Sequence, residues 1–236
     1  MLTLEEKRKL LDINNISVAY GPMLILRGIT LSVDLDQTLA IIGPNGHGKT
    51  TLLKTIAGLI HPIKGEIWFD GSRIDNLPSF EIVRRGITLL PEGGGYIPNL
   101  TVLENLKLGS YTNKKKWSER LEQVYTLFPR LRDRSKQVAW TLSGGERRML
   151  AIARCLMVES KLLLFDEPTW GVAPIIKNEI IRIVKEIRKN GRGFIIADSD
   201  LEFVKQIADT ILLLKNSKLI PLDKNTLHQG LASNLL

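Results

Sequence analysis

Gly43-Pro44-Asn45-Gly46-His47-Gly48-Lys49-Thr50 fits the spacing G-x-x-x-x-G-K-[ST], and the chemistry this spacing serves is phosphate binding. Its glycines leave backbone N–H groups free to curl around an anion. A helix beginning at Lys49 would add the positive end of its dipole. Lys49 would reach the β- and γ-phosphates of a nucleotide, Thr50 would offer its hydroxyl to Mg2+, and Thr51 follows in the same turn. A second run, Leu162-Leu163-Leu164-Phe165-Asp166-Glu167-Pro168, is an apolar strand that ends on two carboxylates. Asp166 suits a hard, oxygen-seeking cation held directly or through water. Glu167 is placed to accept a proton from an attacking water.

A third segment, Leu142-Ser143-Gly144-Gly145-Glu146, opens a predicted helix over 144–158. Ser143 and Glu146 have the spacing of a capping box, which satisfies free N–H groups at a helix start. Capping does not account for Gly144 and Gly145, since glycine inside a helix costs about 1 kcal/mol relative to alanine. Close approach of backbone to a ligand does, so this helix start reads as a second phosphate-binding end.

The elements that must carry these residues follow from the apolar pattern. Short β-rich runs at 11–20, 25–35 and 38–42 lead to the glycine turn and a helix at 49–59, then strands at 65–70 and 86–90. Glycines 93–95 follow Pro91 and Glu92 as a joint. From Thr101 the pattern turns helical, with Trp117, Leu121, Val124 and Phe128 along one helix face. Strand and helix alternate again at 161–165, 174–189, 193–197, 200–207 and 210–214. Such an order predicts an α/β core with a helical insertion.

Composition narrows the class. At 44% hydrophobic and 25% charged residues the chain is an ordinary globular protein, neither disordered nor fibrous. One cysteine, Cys155, permits no intrachain disulfide and reads as a packing residue. No apolar run approaches the roughly 20 residues of a membrane span, so any membrane role is expected to need a partner. Of a net charge of +8, a local +7 falls between Lys107 and Arg148, which invites a nucleic-acid or anionic-membrane reading. His47, His61 and His228 are scattered and read as surface or loop residues.

The three motifs together, in this order and spacing, resemble the ATP-binding cassette of ABC proteins over nearly the whole chain. The resemblance implies an α/β P-loop NTPase of ABC type, with an N-terminal antiparallel β-subdomain and an inserted helical subdomain. It implies one domain over 1–236, with a core of 1–92 and 160–236 and a helical part of 93–159. In that family two cassettes pair head to tail, so that Gly43, Pro44, Asn45, Gly46, His47, Gly48, Lys49, Thr50 and Thr51 of one copy would share an ATP with Ser143, Gly144, Gly145 and Glu146 of the other. Tyr20 matches the aromatic that stacks on adenine. Glu92 falls where most cassettes carry a Gln that touches Mg2+ and the attacking water, which makes Thr50, Glu92 and Asp166 the implied metal set.

The stretches 91–106 (PEGGGYIPNLTVLENL), 141–157 (TLSGGERRMLAIARCLM) and 165–180 (FDEPTWGVAPIIKNEI) resemble a narrower branch, the ATPases of branched-chain amino acid importers. LSGGERR also resembles the lipopolysaccharide-export ATPase, but 91–106 fits the importer branch better. Three positions depart from the pattern. Ser199 stands at the switch position of the usual His, Gly93–Gly95 where relatives tend to have arginine, and Ala173 where many cassettes have Asp. The catalytic set implied is therefore Glu167, Glu92 and Ser199. The resemblance further implies ATP and Mg2+ as cofactors, integral-membrane permease subunits as partners, an indirect solute-binding protein, and a peripheral place on the cytoplasmic face of the cell membrane. On this reading the basic window docks onto the membrane partner and no nucleic acid is bound. Two alternatives stay open: a soluble ABC ATPase acting on nucleic acid or the ribosome, and a weakly hydrolysing partner in a heterodimeric transporter.

Overall fold

The computed structural model describes residues 9–111 and 116–223. Alternating buried residues drive the first hairpin. Leu11, Ile13, Ile16 and Val18 of Lys9–Tyr20 (β1) face inward with Leu26, Ile29, Leu31 and Val33 of Met23–Asp34 (β2). The strands pair antiparallel, and Lys64–Phe69 (β4) and Ser72–Arg73 (β5) extend them into a four-stranded sheet of order β2-β1-β4-β5.

The second sheet has six strands in the order β10-β9-β3-β8-β7-β6. Thr38–Ile42 (β3), Ile87–Leu90 (β6), Leu162–Asp166 (β7), Gly193–Ala197 (β8) and Thr210–Lys215 (β9) run parallel, and Lys218–Leu222 (β10) closes one edge antiparallel. β3, β7 and β8 are buried along their whole length, as strands covered on both faces must be. Their side chains divide by period two. Leu39, Ile41, Leu162, Leu164, Ile195 and Ala197 pack toward the antiparallel sheet and Lys49–Ile56 (α1). Ala40, Ile42, Leu163, Phe165, Phe194 and Ile196 pack on the other side against helices. Those helices are Val102–Gly109 (α3), Trp117–Leu127 (α4), Pro129–Asp133 (α5), Gly144–Leu156 (α6), Pro174–Arg188 (α7) and Leu201–Ile207 (α8). Ser79–Arg85 (α2) lies between β5 and β6.

Register is what positions the site. Ile41 of β3 and Asp166 of β7 both pair with Ala197 of β8, and Leu90 of β6 pairs with Phe165. The carboxyl ends of four strands therefore lie side by side, and the segments that follow them converge on one edge, where parallel sheets bind ligands.

Most expected elements stand within a few residues of their predicted bounds. The helix expected to Leu59 stops at Ile56, because Gly58 turns left-handed at φ 68 with Leu77 backbone 2.9 Å from where a Cβ would be. The helix expected to Val158 stops at Leu156. On α4, Leu121 and Val124 are buried, and Phe128 is buried just past its end. Cys155 is buried in the core, and burial pushes its thiol up to about 12. No helix among the described residues is long and apolar enough to cross a membrane.

Much of the positive charge in the basic window is already engaged. Arg120 pairs with Glu159, Arg132 with Glu122 and Arg134 with Glu146, while Arg148 is buried. Lys114 and Lys115 lie outside the described residues. Of the window's aromatics, Tyr125 and Phe128 are buried and Trp117 packs against the core, which leaves Tyr111 and Trp140 exposed. That is not the run of exposed rings on which successive bases stack.

Candidate active site

The glycine loop leaves the end of β3. A Cβ at Gly43 would lie 2.3 Å from the carbonyl oxygen of Leu214 on β9, so the loop can start there only with glycine. Gly48, at φ 101, begins α1 without a side-chain cap, which leaves the first-turn amides for a ligand. Lys49 is buried and staples the loop from within. Its Nζ donates to the Gly43 carbonyl at 2.7 Å, the Pro44 carbonyl at 3.5 Å and Asn45 Oδ1 at 3.4 Å. The His47 amide donates to the Pro44 carbonyl. The loop, Thr50, Thr51, Glu92 and Glu167 line a cavity of about 280 Å³.

Both carboxylates at the end of β7 reach this edge. Asp166 is buried, accepts a hydrogen bond from the Thr50 side chain, and has its Oδ1 without a partner. Burial raises its pKa, and the charges of Glu92 and Glu167 push the same way. Glu167 adopts φ 47, a left-handed backbone that glutamate rarely takes, at the point where the chain turns off the strand. Its Oε1 lies 3.3 Å from Lys49 Nζ. Its Oε2 accepts from the Ser199 amide at 3.1 Å and the Ser199 hydroxyl at 3.0 Å. Ser199 thus holds Glu167 with its hydroxyl.

Asp198 and its partner Thr169 were not apparent as site residues. Asp198, the first residue after β8, is buried and accepts from the Thr169 amide at 3.1 Å, the Thr169 hydroxyl at 2.8 Å and the Asp200 amide at 2.8 Å. It ties the turn after Glu167 to the segment that carries Ser199. Burial pushes Asp198 up to about 6, whereas an unfolded chain releases that proton near pH 4. The native state therefore holds the extra proton between these values, and stability falls as pH rises through them. The contribution is whole below the window and lost above it. Midpoints measured from pH 4 to 7 for the parent and Asp198→Asn should diverge in this sense; a constant gap would rule it out.

Ser143 and Glu146 form the expected capping box. Ser143 Oγ accepts from the Glu146 amide at 3.3 Å, and Glu146 Oε2 accepts from the Ser143 amide at 2.9 Å. Glu146 also pairs with Arg134 at 2.8 Å, so its carboxylate is committed to its own surroundings. The two glycines have different surroundings. A Cβ at Gly145 would lie 2.7 Å from Cδ1 of Ile176 on α7, so that side chain packs closely over it. Nothing lies within 4 Å of a Cβ at Gly144. Gly144 lines a separate cavity of about 250 Å³ with Arg147, Arg148 and Trp170. None of Ser143–Glu146 lines the glycine-loop cavity, and neither does Tyr20, which is half exposed at the end of β1. Ala173 caps α7 without a side-chain hydrogen bond.

Asp166 Oδ1, orphaned and buried beside the Thr50 hydroxyl, fits a hard divalent cation. No group of three or more His, Cys, Asp or Glu suited to a metal occurs among the described residues. Phosphate oxygens and water would complete the shell, as Mg2+ commonly requires.

A parallel sheet with a phosphate loop at one strand end and a carboxylate pair at another defines a P-loop nucleoside triphosphatase. The family model described as ABC transporter matches residues 26–170, and the chain belongs to that family as an ATP-binding, ATP-hydrolysing subunit. The high-affinity branched-chain amino acid transport ATP-binding protein BraG of Pseudomonas aeruginosa is 37% identical over 212 residues, covering 89% of this chain and 91% of its own length. A nucleotide-free ATP-binding cassette from an ABC transporter matches at a TM-score of 0.85, with 26% identity over 97% of this chain and 98% of its own. Another cassette, solved in its ADP conformation, matches at 0.84 with 28% identity over the same shares of the two chains.

Proposed function

We propose that this chain powers uptake of branched-chain amino acids, or of small solutes chemically like them, through integral-membrane permease subunits supplied with solute by a binding protein. The similarity to BraG over most of both chains supports the solute class. The observation that carries the mechanism is the separation of the two phosphate-binding helix ends into different cavities of one chain. A second cassette brought head to tail would set the helix start Ser143, Gly144, Gly145 and Glu146 of one copy against the phosphates held by Lys49 and the glycine loop of the other. On this reading the core is 1–92 with 160–236, the helical part is 93–159, and the pair sits peripherally on the cytoplasmic face of the membrane.

Within the site, Mg2+ would neutralise phosphate charge, held by Thr50, Asp166 and Glu92. Tyr20 would stack on adenine. Lys49 would leave Glu167 Oε1 for the β- and γ-phosphates, which frees that oxygen to take a proton from water. Ser199 would keep Oε2 fixed during the transfer, and so acts as a positioning residue. Ser199→Ala keeps the amide bond and loses the hydroxyl bond, which contributes on the order of 1 kcal/mol. Turnover should fall about fivefold with little change in KM; an unchanged kcat would remove Ser199 from this role. ATP-driven leucine uptake into proteoliposomes holding the chain and its co-purifying membrane subunits tests the whole reading. Uptake that does not follow ATP, or membrane partners that move another solute, would overturn it.

A second reading rests on Ser199 and Ala173, which stand where many cassettes carry His and Asp: the chain pairs with a different, more active cassette. Turnover measured alone and with that second cassette separates the two.

A further inference from the structure

Away from the nucleotide edge, α4 and the end of α6 face the last turns of α7 across a cavity of about 450 Å³. Val124, Leu127, Leu156 and Ile187 form an apolar wall. Two groups of opposite charge, Glu186 and Arg192, line it too, with the polar Gln123, Thr126 and Asn190. Arg192 is half-buried, and its charge is felt by the Glu159 carboxylate and the Arg120 guanidinium. Arg120 takes Glu159 in an ion pair at 2.6 Å and also bonds the Met157 carbonyl, so the two guanidinium groups share one carboxylate. Glu186 pairs with the exposed Lys189 at 2.9 Å, a surface contact weak enough to exchange for another ammonium.

A hollow of this size with an apolar wall and a few converging polar groups has the form of a small-molecule site. We propose that it binds a small aliphatic α-amino acid, with Arg192 taking the carboxylate, Glu186 the ammonium, and the Val124–Leu127–Leu156–Ile187 wall the side chain. This ligand has the chemistry of the solute proposed above, yet the site is argued from its own residues and stands if that reading fails. Since α4 and α6 form one side and α7 the other, an occupant would tie these helices together.

Calorimetric titration of the full chain with L-leucine, without nucleotide, tests this. One-site binding at micromolar to millimolar leucine is expected, with affinity lowered about tenfold or more in Arg192→Met, since an ionised hydrogen bond is lost. Leu127→Trp, which fills the hollow, should abolish it while leaving ATP affinity unchanged. 4-Methylpentanoate, lacking the ammonium, and 3-methylbutylamine, lacking the carboxylate, should each bind more weakly than leucine. No heat with leucine, binding unchanged in both folded variants, or 4-methylpentanoate equal to leucine would each overturn the assignment. Leucine binding that fails leaves ATP-driven uptake untested and intact, because the two assays share no readout.

Discussion

Glu167→Gln should leave the chain able to bind ATP and almost unable to turn it over. The amide is the same size as the carboxylate, so a carbonyl oxygen can still accept from the Ser199 amide and hydroxyl. What is lost is the capacity to take a proton, and a positioned base contributes about 10²- to 10⁴-fold. Phosphate release should fall by that factor. ATP affinity should hold or tighten, because one negative charge leaves the neighbourhood of Asp166 and Glu92. With hydrolysis blocked, two chains should remain together around ATP and run as a dimer by light scattering. Monomers at saturating ATP would count heavily against the sandwich, and turnover within tenfold of the parent would remove Glu167 as the base.

Lys49→Ala should be the other severe change, for two separable reasons. The ammonium is buried 3.3 Å from Glu167 and staples three loop acceptors, so truncation leaves a buried carboxylate unpaired and the loop untied. Breaking one side of a buried pair typically costs about 3–5 kcal/mol. Urea unfolding should show a loss of that order, and part of it should return in the double variant Lys49→Ala with Glu167→Gln, which removes the orphaned charge. ATP affinity should fall by a factor on the order of 10² to 10³, as truncating a buried charge partner does elsewhere. That loss should persist in the double variant, since nothing restores a cation beneath the phosphates. Full recovery of ATP binding there would mean that Lys49 serves only the fold.

The parts of the site that were legible beforehand are those written in one short stretch of chain. Gly43–Thr50 and Leu162–Glu167 carry their geometry in their spacing, because a backbone that wraps a phosphate or ends a buried strand constrains successive residues. Asp198 with Thr169 was hidden for the opposite reason: the partners are far apart in sequence and meet only because β7 and β8 are neighbours. The contact of Ile176 on α7 with Gly145 was hidden by the same route, since no local pattern announces it. α2 went unseen because it is short and begins after a proline without a side-chain cap. β10 is an edge strand containing Pro221, and its weak pattern reflects having only one neighbour to satisfy. The helical pattern expected from Thr101 begins there, and Thr101 and Glu104 close the start of the helix at 102–109 with reciprocal capping bonds.

Separate cavities for the glycine loop and the α6 start have a kinetic consequence. A lone chain holds two halves that belong to different sites, so in dilute solution its specific activity should climb with its own concentration. Anchoring two chains to one membrane complex removes that dependence, because a short tether sets a local concentration in the millimolar range. Membrane attachment would then govern the ATPase by mass action, and chains adrift in dilute solution would consume little ATP.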